Sequence, residues 1–252
     1  MIRELLETVE HRPWPLPSRS WVMRMNWEDL LFMHWPVDAS VLRSKIPPGL
    51  ELDLFDGEAW IGVVPFRMAD TTLRFLPTLP GLSNFCELNV RTYVRRGDRA
   101  GVWFFSLDAA NRIAVRAARA WFHLPYFDAK MRCAANGEDI EYSSRRTHRG
   151  MTPGIFDASY GPRGEVYASR AGTLEHWLTE RYALYACDPR GTILEGQIHH
   201  RPWPLQSAEA EVRANDVAQS HGIALPDCDP ILHFARKLET VAWAPRAVEP
   251  VF

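Results

Sequence analysis

An antiparallel β-barrel or cone with a few flanking helices is the fold class that this sequence predicts, and three observations predict it. Short apolar runs recur along the chain between turn residues such as Asp56-Gly57 and Asn136-Gly137, which is hairpin patterning. Helical periodicity is confined to a few segments, which argues against a parallel sheet. The length of 252 residues suits a β-rich barrel folding as one domain, and no low-complexity segment or composition shift divides residues 1–252.

The elements follow in order. Residues 2–9 predict a short helix leading into Pro13-Trp14-Pro15-Leu16-Pro17, which must be extended or polyproline-like because proline fixes φ. Trp27 to Trp35 suits a strand. Asp38 is placed to cap a brief helix, Ala39 to Lys45, that Pro47-Pro48-Gly49 stops. Leu50 to Phe55 and Ala59 to Met68 predict a hairpin about Asp56-Gly57. Leu73 to Ser83, with Pro77, Pro80 and Gly81, is a loop long enough to cover a site or simply cross over. Phe85 to Val94 and Gly101 to Asp108 predict the next hairpin, about Arg95-Arg96-Gly97-Asp98. Asn111 to His123 is the clearest helix, with Ile113, Val115, Ala117, Ala118, Trp121 and Phe122 forming its apolar stripe before Pro125. Two more hairpins are expected, one at Asn136-Gly137 and one around Gly161-Pro162-Arg163-Gly164. A helix from Thr173 would place Leu174, Trp177, Leu178, Arg181, Tyr182 and Tyr185 near one face if it ran that far. Strands at about 183–187 and 192–199 flank Asp188-Pro189-Arg190-Gly191, and one or two more lie near Ile231 to Val248.

Composition removes several function classes. A formal net charge of −2 gives no pull toward nucleic acid or an anionic membrane. No run approaches the ~18 apolar residues of a membrane-spanning helix, and the amphipathic, acidic start is unlike a signal peptide. Cys86, Cys133, Cys187 and Cys228 lie far apart without Cys-x-x-Cys spacing, so a cytoplasmic setting is expected and no zinc or redox motif is read. No His-x-His or His-Glu-x-x-His occurs; His199 and His200 are adjacent and would point to opposite faces of a strand. Without a P-loop, nucleophile elbow or dinucleotide fingerprint, no cofactor is expected. Only three of the 29 basic residues are lysines (Lys45, Lys130 and Lys237), so Schiff-base chemistry has three candidates.

One internal echo stands out. His11-Arg12-Pro13-Trp14-Pro15-Leu16 recurs as His200-Arg201-Pro202-Trp203-Pro204-Leu205. The flanks do not match, so two stiff Trp-bearing segments clamping one core is the reading; a paired binding element is the alternative.

The stretch from Asn84 to Met131 carries the chemistry. Side chains alternate along a strand, so Glu87, Asn89 and Arg91 share one face, between Phe85 and Tyr93. Cys86, Leu88, Val90, Thr92 and Val94 share the other. One face suits a packed core and the opposite face a polar pocket, although a solvent-facing strand reads similarly.

Leu30-Leu31-Phe32-Met33-His34-Trp35-Pro36-Val37, Ile46-Pro47-Pro48-Gly49-Leu50-Glu51-Leu52-Asp53 and Ala59-Trp60-Ile61-Gly62-Val63-Val64-Pro65-Phe66 resemble the uncharacterised YqjF-like bacterial family. So do Glu87-Leu88-Asn89-Val90-Arg91-Thr92-Tyr93-Val94, Phe105-Ser106-Leu107-Asp108-Ala109 and Leu124-Pro125-Tyr126. The resemblance covers nearly the whole chain. It looks like a branch of the acetoacetate decarboxylase-like superfamily, which implies an antiparallel cone-like barrel with a small-molecule pocket, often in a homo-oligomer. Acetoacetate decarboxylase itself resembles the chain more faintly. Its corresponding helix-and-proline segment ends in Tyr-Pro-Lys-Lys, and the first lysine forms its Schiff base. Here Tyr126 follows Pro125, so that nucleophile is absent, while a pocket glutamate of that enzyme falls on Glu87.

The site candidates follow. Glu87 could be a general acid or base if burial raises its pKa; the bland alternative is an ion pair with Arg91. Arg91 and Arg119 could hold a substrate carboxylate, or be structural ion-pair partners. Asn89 and Tyr93 are further binding candidates on the same strand. His123 and Tyr126 sit at the helix exit, and Lys130 could reach the cavity from the following strand. Asp108 reads as a turn and cap residue. Three functions remain open. One is an enzyme acting on a small carboxylate or carbonyl metabolite, by lyase- or decarboxylase-like or related acid–base chemistry. The others are a non-catalytic small-molecule binder and a structural oligomer with a filled barrel.

Overall fold

In the computed structural model, which describes residues 2–248, thirteen strands join one sheet that closes on itself. The expected unit of residues 1–252 thus includes five, Met1 and 249–252, that lie outside the described residues. The strands are β1 (Met23–Val37), β2 (Glu51–Leu52), β3 (Ala59–Leu73), β4 (Phe85–Arg96), β5 (Arg99–Ala109), β6 (Tyr126–Asn136) and β7 (Asp139–Arg146). They continue as β8 (Ile155–Tyr167), β9 (Ala183–Cys187), β10 (Ile193–His200), β11 (Leu205–Asn215), β12 (Ile231–Ala242) and β13 (Arg246–Ala247). Four short helices accompany them: α1 (Ile2–Glu7), α2 (Ala39–Arg43), α3 (Arg112–Phe122) and α4 (Leu174–Thr179).

The order β5-β6-β7-β8-β11-β12-β1-β3-β4 is closed by the β4–β5 pairing. A second pairing, β10–β12, closes a further ring through β9, so the mainly β chain forms a closed ring of strands, in keeping with the expected antiparallel barrel class. Closure pairs the long strands on both sides and leaves only the two-residue strands β13 and β2 as edges. One detail departs from expectation: β5 runs parallel to both β6 and β9. The β5–β6 crossover is α3, so the clearest predicted helix serves the one kind of connection that needs it. Gly101 is required at the β5–β9 contact, where a Cβ would come within 2.7 Å of the Ala183 carbonyl oxygen.

The β4/β5 and β6/β7 hairpins turn at Gly97 and Gly137, both in the left-handed region. Asp38 caps α2 by accepting from the Ser40 N–H, and Asn111 caps α3 by accepting from Ile113 and Ala114.

Four local expectations are corrected. The Asp56-Gly57 turn exists, but β2 is two residues long and pairs with β4 rather than β3, and the Asp53 side chain beyond it ion-pairs with Arg181. Gly161-Pro162-Arg163-Gly164 is no hairpin; it lies inside β8. Gly161 is there because a Cβ would strike the Asp139 side chain, and Gly164 (φ +74°) relaxes an irregularity opposite β11. Strand β11 itself has no counterpart in the sequence reading. Helix α4 stops at Thr179, so Arg181 and Tyr182 follow it and Tyr185 belongs to β9.

The two echoed segments do meet. His11 Nε2 lies 2.7 Å from the His200 carbonyl oxygen, and Arg12 donates to the Ile198 carbonyl. Their tryptophans part company: Trp14 packs beside Leu50 and Ile193, whereas Trp203 enters the cluster of Met25, Phe32 and Phe66. No helix among the described residues is long and apolar enough to cross a membrane.

Candidate functional site

Strand β4 sets the site. It is buried on both faces: Leu88 and Val90 enter the main core, while Glu87, Asn89 and Arg91 line a cavity of about 390 Å³. That size lies within the ~300–1,000 Å³ of ordinary small-molecule sites. Tyr126 at the start of β6, Arg181 after α4, His200 at the end of β10, and Trp27 and Trp203 complete the polar and aromatic lining. The Tyr142 hydroxyl pins the Glu87 backbone carbonyl at 2.7 Å.

Glu87 is 3% exposed. Its Oε2 accepts from the Tyr126 hydroxyl at 2.9 Å, and its Oε1 has no hydrogen-bond partner among the described residues. Burial pushes its carboxyl pKa up to about 8, the Tyr126 hydrogen bond opposing the rise and the nearby Asp108 adding to it. Tyr126 is driven well above the usual phenol range by burial and by Glu87. At neutral pH the pair therefore holds both protons. Behind it, Asp108 meets Arg146 at 2.8 Å with both side chains fully buried, and Arg146 also reaches Ser106. Burial still lifts Asp108 to about 6, against that ion pair.

The other polar end is cationic. Arg91 donates to the Leu178 carbonyl at 3.2 Å and stacks over Phe32, but it has no acidic partner among the described residues and its buried Nε is unpaired. The alternative ion pair between Glu87 and Arg91 does not form. Arg181 pairs with Asp53 at 2.5 Å and lies over the Trp177 ring, with Nη2 unpaired. Burial lowers the Arg181 pKa, partly offset by Asp53 and reinforced by Arg91. His200 donates from Nδ1 to the Arg201 carbonyl, which can only accept, so a neutral ring keeps Nε2 as an acceptor. Burial pushes its pKa down to about 3.

Of the eight expected site residues, Glu87, Asn89, Arg91 and Tyr126 meet in the cavity. The other four lie elsewhere. Tyr93 is fully buried behind Arg91, bonded to His34 Nε2 at 2.6 Å and to the Leu178 carbonyl. Arg119 is exposed on α3 and donates to the Tyr126 carbonyl, holding that residue's backbone. His123 is the left-handed C-cap of α3 (φ 54°), which turns it out of the lining. Lys130 is exposed on β6, and neither Lys45 nor Lys237 lines the cavity. Asp108 is a strand residue rather than a cap; Asn111 is the cap. Arg181 and His200 were missed as lining residues. The signals were an arginine inside an otherwise apolar helical stripe, and the second copy of the echo. Among the described residues no group of three or more His, Cys, Asp or Glu is placed to hold a metal ion.

Comparison with known proteins fits this geometry. The model of the DUF2071 family, described as an uncharacterized conserved protein, matches residues 24–239. The uncharacterized protein YqjF of Bacillus subtilis (strain 168) is 44% identical over 239 residues, covering 95% of this chain and 98% of YqjF. Two solved structures share the fold at low identity. Acetoacetate decarboxylase from Legionella pneumophila has a TM-score of 0.61 at 15% identity, covering 95% of this chain and 93% of its own. The enduracididine biosynthesis enzyme MppR, complexed with pyruvate, has a TM-score of 0.62 at 12% identity, covering 96% and 94%.

Proposed function

Since the chain belongs to the DUF2071 family and has the acetoacetate decarboxylase-like fold, we propose that it is an enzyme acting on a small carboxylate or carbonyl metabolite by acid–base chemistry. The observation that carries this reading is Glu87: a buried carboxyl with a pKa near 8, hydrogen-bonded to a tyrosine, at the wall of a cavity. A carboxyl held protonated near neutrality can give a proton to a substrate atom and take one back. Tyr126 would then donate to the carboxylate left behind. Arg91 and Arg181, which both line the cavity, would hold the substrate's carboxylate with their guanidinium groups. The neighbour that binds pyruvate supports a keto acid as a starting probe. No lysine is among the cavity-lining residues, so no Schiff base would form there.

A second reading, a protein that binds its ligand without turning it over, is favoured by one observation: most of the lining is apolar, as holding alone requires. A filled, purely structural barrel is disfavoured by the 390 Å³ of open space. We further propose one domain in a cytoplasmic setting, supported by four free cysteines.

The test is a thermal-shift panel of keto, hydroxy and phenolic acids, followed by product analysis for each ligand found. A ligand at a hundred times its Kd stabilises by ~2.7 kcal/mol, a rise of roughly 5–10 °C here. Turnover by the natural chain that falls at least a hundredfold in Glu87→Gln, with binding kept, is the expected result. Binding without turnover in either chain would select the second reading.

A further inference from the structure

The cavity is polar at its buried end and apolar along the rest. At the buried end stand Arg91 and Arg181, 9% and 6% exposed, with one acidic partner between them, Asp53. Neighbouring His34 is fully buried and kept neutral by burial and by Arg91. That end therefore carries one uncompensated positive charge, a costly arrangement for buried guanidinium unless an anion joins it. Arg91 and Arg181 both line the cavity, so an anion there would meet two guanidinium groups that share a single carboxylate.

The far end opens among Leu76, Leu79, Ile113 and Trp121, which line the cavity although 55%, 49%, 64% and 43% exposed. These residues come from the 74–84 loop and from α3, which Asn111 ties together by donating to the Gly81 and Leu82 carbonyls while capping the helix. From Arg91 to Phe85, where the loop enters β4, is six residues of strand, roughly 20 Å. Between the ends the wall is Met25, Trp27, Met68, Phe85, Leu107 and Trp203.

A compact keto acid would fill only part of this space. The 390 Å³ cavity has room for about a dozen groups of water size at ~30 Å³ each, whereas a four-carbon keto acid has only about seven heavy atoms. It would leave the apolar wall in contact with water or void.

Building on the acid–base reading, we infer that the ligand is an amphiphilic monocarboxylate. Its carboxylate sits on Arg91 and Arg181, and an apolar chain of about eight to twelve carbons runs past Trp27 and Trp203 to the mouth at Ile113 and Trp121. Glu87 then faces the chain rather than its head, so the acid–base reading requires the natural ligand to carry a proton-accepting group, such as a carbonyl, on that part of the chain.

The experiment is calorimetric titration of the natural chain with butyrate, hexanoate, octanoate, decanoate and decanol, all below micelle-forming concentrations, and of Arg91→Met with decanoate and decanol. Affinity is expected to rise about fourfold per added CH₂ through decanoate, with decanol at least tenfold weaker. In Arg91→Met, decanoate should fall to the level of decanol. A flat chain-length series, or decanol binding as tightly as decanoate, overturns the inference on the natural chain alone, whether or not the variant folds. Turnover of a short keto acid beside a flat series would sink this inference and leave the acid–base reading standing. An intact series with no proton-transfer turnover would do the reverse.

Discussion

Glu87 ties the chemistry of the site to the stability of the fold. The folded protein keeps its proton up to a pH of about 8, while the unfolded chain releases it near 4.5. Between those values the native state binds more protons than the unfolded state, so this group makes stability fall as pH rises through the window. His199 and His200, buried neutral with pKa values lowered to about 4 and 3, act the other way and add stability as pH rises toward 6.5. Comparing two chains that share those histidines isolates the glutamate. Glu87→Gln, which can still accept from Tyr126, is expected to match the natural chain near pH 5 and to exceed it at pH 9 by on the order of a few kcal/mol. Urea denaturation at the two pH values reads this directly. Equal stability at pH 9 would mean that the carboxyl ionises in place without penalty, and the proton-donor role would go with it. At this scale the sequence was most legible along β4, because strand alternation alone puts Glu87, Asn89 and Arg91 on one face.

Among the elements, α3 and the 74–84 loop contribute to the cavity lining, and Asn111 serves both. Its Oδ1 caps the helix and its Nδ2 holds the loop. Asn111→Ala should lose both functions, with about 1–2 kcal/mol from the cap and a Tm fall of roughly 2–8 °C. Asn111→Asp keeps the acceptor and loses the donor. Its α3 amides should stay protected from hydrogen exchange while those of residues 79–83 exchange faster. Unchanged exchange in that loop would show that the Asn111 side chain is not what holds it. The apolar stripe of α3 was legible from its spacing, but its two destinations were not. Val115 and Phe122 pack inward, whereas Ile113 and Trp121 stay exposed at the mouth. Periodicity says that a residue shares a face with others; it does not say whether that face meets core or cavity. The Gly161 to Gly164 segment failed for a related reason. Glycine and proline signal a turn, yet the same residues serve close approach and irregular pairing within β8.

For the whole molecule, ring closure puts residues distant in sequence into one wall. Arg146 of β7 joins Asp108 and Ser106 of β5 and reaches Ser220 beyond β11. Removing one partner of a fully buried pair strands the other, so Arg146→Met is expected to cost about 3–5 kcal/mol in urea denaturation. Adding Asp108→Asn should recover part of that loss; no recovery would mean that the arginine acts through packing alone. The sequence by itself determined the strand-rich class, most of the hairpin turns, the Asp38 cap of α2 and the polar face of β4, because these depend on residues within a few positions of one another. It placed the cap of α3 at Asp108, where Asn111 serves. Only the tertiary structure decided that Arg181 and His200 share a cavity with Glu87 while His123, Arg119 and Lys130 stand outside it. Barrel closure brings positions 87, 181 and 200 together, and a left-handed cap or one step of strand register turns a side chain away. The raised pKa of Glu87 belongs to the same level, since burial is a property of everything packed around a residue.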